Sequence, residues 1–248
     1  ASLYFRAFDE PFVEEIKSYA VNYFRKILSN LGWEPKKSDK HTDALLRTFA
    51  IAVLGKMNDE IVTDEAIKKY KKFLKSPRSL SPDLIETICS IAAWNGNSKT
   101  FAELKKLYTN AKTMEEKLRF LGAMCGFQDK KLLVKTLDFS QTSAVRSQNM
   151  QLPIMKIAGN PYGDKVLWPW LKKNWKKINK KVGHGNPLFN RIVASIAGVA
   201  DDSMEKEIKL FFKNNPTPGT ERTQSQTLER IRINSKFLRT MRKEFKNG

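Results

Sequence analysis

The sequence has 248 residues, of which 41% are hydrophobic and 29% are charged. This length allows a real buried core, and the composition is that of a globular chain rather than a disordered one. Lys and Arg outnumber Asp and Glu by 45 to 26, and the resulting net charge of +19 suits either an anionic partner or a well-solvated surface. The sequence contains no run of 18 apolar residues, so we expect no membrane-spanning helix.

Helix starts recur along the whole chain. A short polar side chain before a helix accepts a hydrogen bond from a backbone N–H that has no intrahelical partner, and proline suits the first helical position. Two of the predicted starts add a Glu three positions later, which is the capping-box pattern. In chain order, the predicted helix-start residues are Thr63, Ser81 with Pro82, Thr113 with Glu116, Asn160 with Pro161, Asn186 with Pro187, Asp202 with Glu205, and Thr217 with Pro218.

Apolar residues between these starts recur every three to four positions, and no segment alternates with the period of a strand. The pattern predicts an all-α protein of about a dozen helices. Many short helices in series favour an α-solenoid of the HEAT or armadillo kind, with stacked helical hairpins and a concave face that serves for binding. No linker or low-complexity tract divides the chain, so we expect a single domain over residues 1–248.

The two cysteines, Cys89 and Cys125, both lie in apolar helical patterns. We interpret them as buried free thiols rather than as a disulfide, because disulfides are rare in reducing compartments. This interpretation favours a cytoplasmic protein.

Catalytic and metal-binding motifs do not occur in the sequence. Its two histidines, His41 and His184, belong to no HExxH motif, the pattern that places two zinc ligands on one helical face. We expect His41 at a helix start, His184 in a loop, and no metal site. The sequence also has no G-x-S-x-G elbow, no P-loop and no G-x-G-x-x-G, so it predicts no catalytic residue and no enzymatic activity for this chain alone.

A segment rich in Trp and Lys, residues 167–181, has two interpretations. Aromatic rings among lysines can stack on the bases of single-stranded nucleic acid while the lysines neutralise phosphates. A helical wheel favours an amphipathic helix instead, because the apolar residues share one face and the lysine pairs lie opposite. The predicted core face consists of Leu167, Leu171, Trp175 and Ile178.

The C-terminal part of the sequence predicts one long helix with an apolar and a basic stripe. The apolar stripe consists of Leu228, Ile231, Leu238, Met241 and Phe245. The basic stripe, which we expect to face solvent, consists of Arg232, Lys236, Arg239 and Lys243. Arg222 and Arg230 belong to neither stripe cleanly, so they are the two arginines that we expect to point sideways into a groove.

Three segments carry a family resemblance. Residues 31–57 contain Leu-Gly-Trp, a short polar link and a Leu-Leu-Arg helix. Residues 144–175 contain a basic-x-Gln segment, Asn-Pro-x-Gly, a Trp and a closing Asn-Trp. Residues 216–234 contain Pro-Thr-Pro-Gly-Thr-Glu and the helix Thr-Leu-Glu-Arg-Ile-Arg-Ile-Asn. Together they resemble, in the same order, the C-terminal helical domain of M1 zinc aminopeptidases, above all the archaeal tricorn-interacting factors and their eukaryotic cytosolic and endoplasmic-reticulum relatives.

The resemblance implies a role without chemistry of its own. In M1 aminopeptidases the zinc and the HExxH motif belong to a separate catalytic domain, and the HEAT-like C-terminal domain closes over the cleft and encloses the distal part of the peptide. We therefore expect no cofactor in this chain, zinc in the catalytic domain of its parent, and two partners, namely peptide substrates and that catalytic domain. The first helices of the family domain are missing before Ala1, which implies a C-terminal fragment of a larger aminopeptidase.

Five residues are the sequence-based candidates for substrate contact. Arg146 and Gln148 match the basic-x-Gln segment of the family. Arg191, Arg230 and Arg232 are proposed on their basic character within the matching helices. We expect their guanidinium groups to provide positive potential for the free carboxylate of a peptide.

The alternative function is that of a free-standing basic α-solenoid scaffold. Such a scaffold would bind nucleic acid or acidic protein partners through its +19 surface, with strongly salt-dependent affinity in the first case. Because the wheel favours an amphipathic helix for the Trp and Lys segment, nucleic acid is the less favoured partner.

Overall fold

A computed structural model describes residues 7–183 and 186–247. These residues form twelve α-helices and several short 3₁₀ turns, with no strand among them, so the all-α prediction is confirmed. None of the helices in the described ranges is both long and apolar enough to cross a membrane. The chain divides into two compact units, residues 1–128 and 129–248. The single domain over residues 1–248, the HEAT-like repeat and the concave face stay predictions.

The first unit packs its helices in sequential pairs. They are α1 (Val13–Leu31), α2 (His41–Lys56), α3 (Glu60–Lys75), α4 (Pro82–Trp94), α5 (Ser98–Asn110) and α6 (Met114–Ala123). Helix α1 packs on α2, α3 on α4 and α5 on α6, while α4 also contacts both α2 and α6. Ile51, Leu54 and Ile88 are fully buried at the centre. This packing order is consistent with the stacked helical hairpins of the predicted α-solenoid.

The Leu-Gly-Trp and Leu-Leu-Arg pattern has a structural explanation in this unit. Helix α1 ends at Gly32, whose φ of 70° lies in the left-handed region that favours glycine. The Arg47 side chain is only 2% exposed, and its Nε donates to the Gly32 carbonyl at 3.0 Å. Its Nη2 donates to Asp39 Oδ2 at 2.5 Å. The backbone N–H of Lys36 and the Arg47 guanidinium both lower the pKa of Asp39. Arg47, which belongs to α2, therefore holds the C-terminal end of α1 against α2.

The second unit contains the other six helices. They are α7 (Lys130–Ser140), α8 (Gln151–Ala158), α9 (Asp164–Val182), α10 (Leu188–Ser195), α11 (Glu205–Asn214) and α12 (Glu221–Asn247). Helices α7, α8 and α9 contact one another, and α10 packs on both α8 and α12. The core of this unit centres on α9, whose fully buried residues include Leu167, Leu171 and Ile178.

The tryptophans of α9 belong to the core. Trp168, Trp170 and Trp175 are 2%, 5% and 2% exposed, so the amphipathic interpretation is confirmed. The Trp175 ring meets the rings of Phe189 and Phe212 edge-on, with centroids 5.7 Å apart in each pair. None of the three rings is free to stack on a base, and the stacking-platform interpretation is wrong.

The Asn-Pro-x-Gly segment forms the 3₁₀ turn that leads into α9. Asn160 accepts a hydrogen bond from the Tyr162 N–H at 3.0 Å, and Pro161 occupies the first position of the turn. Gly163 lies so close to the end of α8 that a Cβ atom there would overlap the Ile157 carbonyl oxygen. Glycine is therefore required at this position by close backbone approach.

Several predicted helix starts are confirmed. Thr113 and Glu116 form a complete capping box at α6. Ser81 directly precedes Pro82 at the first position of α4, although its hydroxyl makes no capping hydrogen bond. Asn186 accepts from the Leu188 N–H at 3.0 Å, at the first residue of α10.

Other predicted starts are wrong by a few residues. Helix α3 begins before Thr63, because the buried Asp59 accepts a hydrogen bond from the Val62 N–H and takes the capping position. Asp201, rather than Asp202, caps the 3₁₀ turn before α11. Thr217 lies in the loop before α12, four residues ahead of the first helical residue.

The buried face of α12 differs from the predicted apolar stripe. Ile231 is fully buried, but its neighbours on that face are Thr227 and Ser235, whereas Phe245 is 37% exposed. The Thr227 hydroxyl donates to the Thr223 carbonyl one turn earlier at 2.7 Å, so it can be buried without losing its hydrogen bond. A pattern based on apolar residues alone therefore misses Thr227 and Ser235, although Leu228, Leu238 and Met241 of the predicted stripe are partly buried.

The predictions for the two cysteines and for His41 are confirmed, and that for His184 is not tested. Cys89 and Cys125 are buried and free, as predicted, and burial raises the pKa of the Cys89 thiol. His41 is the first residue of α2, which confirms its assignment to a helix start. His184 lies outside the described residues.

Candidate functional site

All five sequence-based candidates belong to the second unit and have exposed side chains. Arg146 and Gln148 lie in the segment between α7 and α8. Arg191 lies on α10, and Arg230 and Arg232 lie on α12. The structure thus presents these residues from three different elements of one compact unit.

The segment that carries Arg146 is anchored to α9 by one lysine. Lys181 Nζ donates to the carbonyl oxygens of Ser140, Thr142 and Val145 at 3.0, 2.8 and 3.0 Å. Partial burial lowers the pKa of Lys181. These three hydrogen bonds fix the backbone directly before Arg146, while the Arg146 guanidinium itself has no partner among the described residues.

Gln148 lies in the short 3₁₀ turn Ser147–Asn149 that follows Arg146. Its main-chain carbonyl accepts a hydrogen bond from Gln151 Nε2 at 3.2 Å. This hydrogen bond holds the backbone at Gln148, and the side chain is exposed. The side-chain amide is therefore accessible to a ligand from solvent.

A groove of about 440 Å³ runs between α10 and α12. Hydrogen bonds from α12 to α10 and to the turn that follows α10 hold the two sides of the groove together. Thr223 Oγ1 donates to Asn190 Oδ1 at 2.6 Å, and Asn234 Nδ2 donates to the carbonyl of Ala197, which follows α10, at 3.1 Å. The lining residues are Ala194, Thr223, Gln226, Thr227, Glu229, Arg230 and Ile233.

Arg230 and Ile233 give this groove a cationic and an apolar contact side by side. The Arg230 guanidinium makes no hydrogen bond or ion pair within the described part of the chain. Ile233, three residues later, is 59% exposed, so its side chain is available for an apolar group. Glu229 lines the groove as well, so a carboxylate ligand would be favoured only at the Arg230 end.

Arg232 is engaged by a carboxylate of its own unit. Its Nε and Nη2 donate to the two oxygens of Glu205 at 2.8 and 2.6 Å, a bidentate pair. Lys209 also contacts Glu205, at 2.5 Å. The Arg232 hydrogen bond and that from Lys209 lower the pKa of Glu205 to about 2. The guanidinium of Arg232 is therefore less available to a ligand than that of Arg230.

Of the five candidates, the structure brings only Arg230 to the lining of this groove. Arg191 is exposed on α10 and makes no ion pair within the described ranges, but it does not line the groove. Arg222, the other arginine expected to point sideways, is exposed near the start of α12. Their roles in binding stay predictions.

Within residues 7–183 and 186–247, no group of three or more His, Cys, Asp or Glu side chains is placed to hold a metal ion. The resemblance places the zinc in a separate catalytic domain, so we assign no step of a reaction to a metal in these residues.

Comparison with known proteins decides the family. A family model described as the ERAP1-like C-terminal domain matches residues 1–233. The chain belongs to this family. The family domain occurs in M1 aminopeptidases, so the resemblance drawn from the three sequence segments is confirmed.

Individual relatives agree with this assignment. The domain is 26% identical to Aminopeptidase M1 of Arabidopsis thaliana over 241 residues, covering 95% of this chain and 27% of the relative. It is 28% identical to Aminopeptidase M1-D of Oryza sativa subsp. japonica over 234 residues, covering 93% and 27%. It is 26% identical to Aminopeptidase 2, mitochondrial, of Saccharomyces cerevisiae over 232 residues, covering 91% and 24%. The chain thus spans about a quarter of the length of the curated relatives it matches.

Two residues that shape this unit were missed by the sequence analysis. Lys181 was placed among the solvent-facing lysines of α9, yet it anchors the Arg146 segment. Glu205 was assigned to a capping box, yet its carboxylate holds Arg232. The sequence offers no local signal for either contact, because the partners lie 36 and 27 positions away.

Proposed function

We infer that this chain is the C-terminal domain of an M1 zinc aminopeptidase, and that it caps the catalytic cleft and accommodates the distal part of peptide substrates. The parent enzyme removes N-terminal amino acids from peptides in the cytoplasm, with zinc bound in its catalytic domain. The family match over residues 1–233 is the observation that carries this proposal. It is supported by relatives that are named aminopeptidases and are several times longer than this chain.

The groove between α10 and α12 supports the accommodation of a peptide end. An unpaired guanidinium beside an exposed apolar side chain is complementary to a terminal carboxylate next to an apolar residue. The planar fork of arginine matches the two oxygens of a carboxylate, whereas the ammonium group of lysine does not. Arg230 is accordingly the residue that we assign to the peptide C-terminus, with Ile233 beside it.

Arg146 is the second residue in this proposal. Its backbone is fixed through Val145 and Lys181, so little order has to be imposed when a ligand binds. An arginine whose backbone is already held loses less conformational entropy on binding than one whose backbone must also be ordered. We assign Arg146 to a carboxylate or main-chain carbonyl of the distal peptide, with Gln148 as a neighbouring donor.

Hydrolysis assays on two lengths of protein test the proposed function. We expect the full-length protein that contains this domain to hydrolyse aminoacyl reporter substrates and to lose that activity when a chelator removes its metal. The 248-residue chain alone, supplemented with zinc, should hydrolyse them no faster than buffer. Hydrolysis by the chain alone, or none by the full-length protein, would show that the assignment is wrong.

A further inference from the structure

A second groove, distinct from the one that contains Arg230, runs between α7 and α9. Its volume is about 710 Å³. Three lysines of α9 line one wall, Lys165, Lys173 and Lys177. Val134 and Asp138 of α7 line the opposite wall.

Of the seven lysines of α9, two are bonded within the unit, three line this groove, and Lys176 and Lys180 are exposed without lining it. Lys172 is paired with Glu207, and Lys181 is bonded to three main-chain carbonyls. Lys165, Lys173 and Lys177 are exposed, and their ammonium groups have no partner among the described residues. The two bonded lysines stabilise the unit, and the three in the groove are available to a ligand.

The unpaired lysines form a row along the groove. Lys173 and Lys177 are four positions apart and share one face of the helix, and Lys165 lines the same groove about two turns earlier. With a rise of 1.5 Å per residue, neighbouring members are about 12 and about 6 Å apart along the axis. The row is therefore an extended strip of positive charge rather than a single point.

The rest of the groove shows which anion the strip fits. Val134 and the exposed Pro169 contribute apolar surface beside the lysines. Single-stranded nucleic acid needs exposed aromatic rings to stack its bases. Trp170 also lines the groove, but its side chain is only 5% exposed and its Nε1 is bonded to Asp138, and Trp168 and Trp175 are each 2% exposed. An apolar surface next to a row of cations fits a peptide with both acidic and apolar side chains better than it fits a sugar-phosphate chain.

We propose that the groove between α7 and α9 binds an extended, acidic peptide segment. Alternate side chains of an extended peptide lie about 6.8 Å apart on one face, close to the roughly 6 Å between Lys173 and Lys177. Acidic side chains on that face contact the lysine row, and apolar side chains on the other face contact Val134 and Pro169. Gln141, which also lines the groove, has a side-chain nitrogen without a hydrogen-bond partner in the described residues.

Asp138 fixes the orientation of the peptide in the groove. Its Oδ1 accepts a hydrogen bond from Trp170 Nε1 at 2.8 Å, which holds the carboxylate on the α7 side. This negative charge disfavours an acidic side chain on that wall. The acidic residues of the ligand therefore face α9.

The test is the binding of a labelled peptide to the whole 248-residue chain. The probe has four Glu-Val repeats and an amidated C-terminus, so that the groove around Arg230 does not contribute. We expect binding at low salt that weakens as salt rises, because exposed lysines are screened within about 8–10 Å. A matched peptide of four Gln-Val repeats should not bind.

Paired substitutions locate the site. Lys173→Gln with Lys177→Gln should weaken binding about tenfold, since an exposed ion pair contributes about two- to fivefold. Lys71→Gln with Lys75→Gln is the matched control. These two lysines are also four positions apart, exposed and without a partner within the described ranges, but they lie on α3 of the first unit. Circular dichroism of both variants verifies the fold, and the single Lys177→Gln variant serves if the double variant does not fold.

Three results would overturn the proposal. One is the absence of binding by the Glu-Val peptide at low salt. Another is an equal loss of affinity in the α9 and α3 variants, which would indicate a general effect of net charge. The third is displacement of the peptide by single-stranded DNA at a lower concentration than by unlabelled peptide, which would identify nucleic acid as the better ligand.

Discussion

The Nζ atom of Lys181 lies 3.0 Å from the carbonyl oxygen of Val145, the residue directly before Arg146. A lysine near the end of α9 thus determines where a candidate substrate-binding arginine is presented. Both residues belong to the segments of the second unit that the family match covers. The relationship connects the stability of the unit with its proposed binding function.

Replacement of Lys181 by Gln should lower the free energy of unfolding by about 1–3 kcal/mol. Three carbonyl oxygens lose a charged donor, and at least one of these oxygens stays partly buried without a new hydrogen-bond partner. Urea unfolding measures this change. Lys180→Gln, one residue earlier and exposed, is the matched control and should have little effect. Amide hydrogen exchange should be faster at residues 141–150 in the Lys181 variant alone. Equal stability of the two variants would show that the three hydrogen bonds do not anchor the segment.

Replacement of Gly163 by Ala should destabilise the second unit by about 1–3 kcal/mol, because the new methyl group would overlap the Ile157 carbonyl and force the 3₁₀ turn away from α8. Gly159→Ala is the control. A Cβ there would lie 3.6 Å from the nearest atom, the Lys156 carbonyl oxygen, which is ordinary contact. Thermal unfolding of both variants measures the difference, and an equal effect of the two substitutions would contradict the account of the Asn-Pro-x-Gly turn.

The stability of the chain should fall as pH decreases from about 4.5 toward 2, in part through Glu205. Arg232 and Lys209 lower the pKa of this carboxyl from 4.5 to about 2 in the folded state. The unfolded chain therefore binds a proton at higher pH than the folded chain does, so the stabilisation is present above pH 4.5 and is lost below it. Glu205→Gln removes this contribution.

Urea unfolding at pH 5 and at pH 3 tests the Glu205 contribution. The Glu205→Gln variant should lose less stability between the two pH values than the unmodified chain. Glu244→Gln, which removes an exposed carboxylate near the end of α12, is the control and should behave like the unmodified chain. The prediction is wrong if all three proteins lose the same amount.

Local patterns in the sequence predicted the helices, and contacts between distant elements are what they missed. The capping box at Thr113 was predictable because both partners lie within four residues. The pairing of Arg232 with Glu205 was not, because it depends on how α11 and α12 pack. Two positions on the buried face of α12 were missed for a different reason. Thr227 is buried with its hydroxyl bonded to the preceding turn, so it carries no apolar signal.

The most direct test of the proposed function is the kinetic effect of Arg230→Ala and Arg146→Ala in the full-length protein that contains this domain. A charge-assisted pair with a carboxylate contributes about 1.5–3 kcal/mol, so KM for peptides with a free C-terminus should rise about tenfold to a hundredfold. Peptides amidated at the C-terminus and short aminoacyl reporters should be affected much less. Lys236→Ala, an exposed change on the same helix as Arg230, should have little effect on any substrate. If the arginine variants lose the same factor on free-acid and amidated peptides, the proposed recognition of the peptide C-terminus is contradicted.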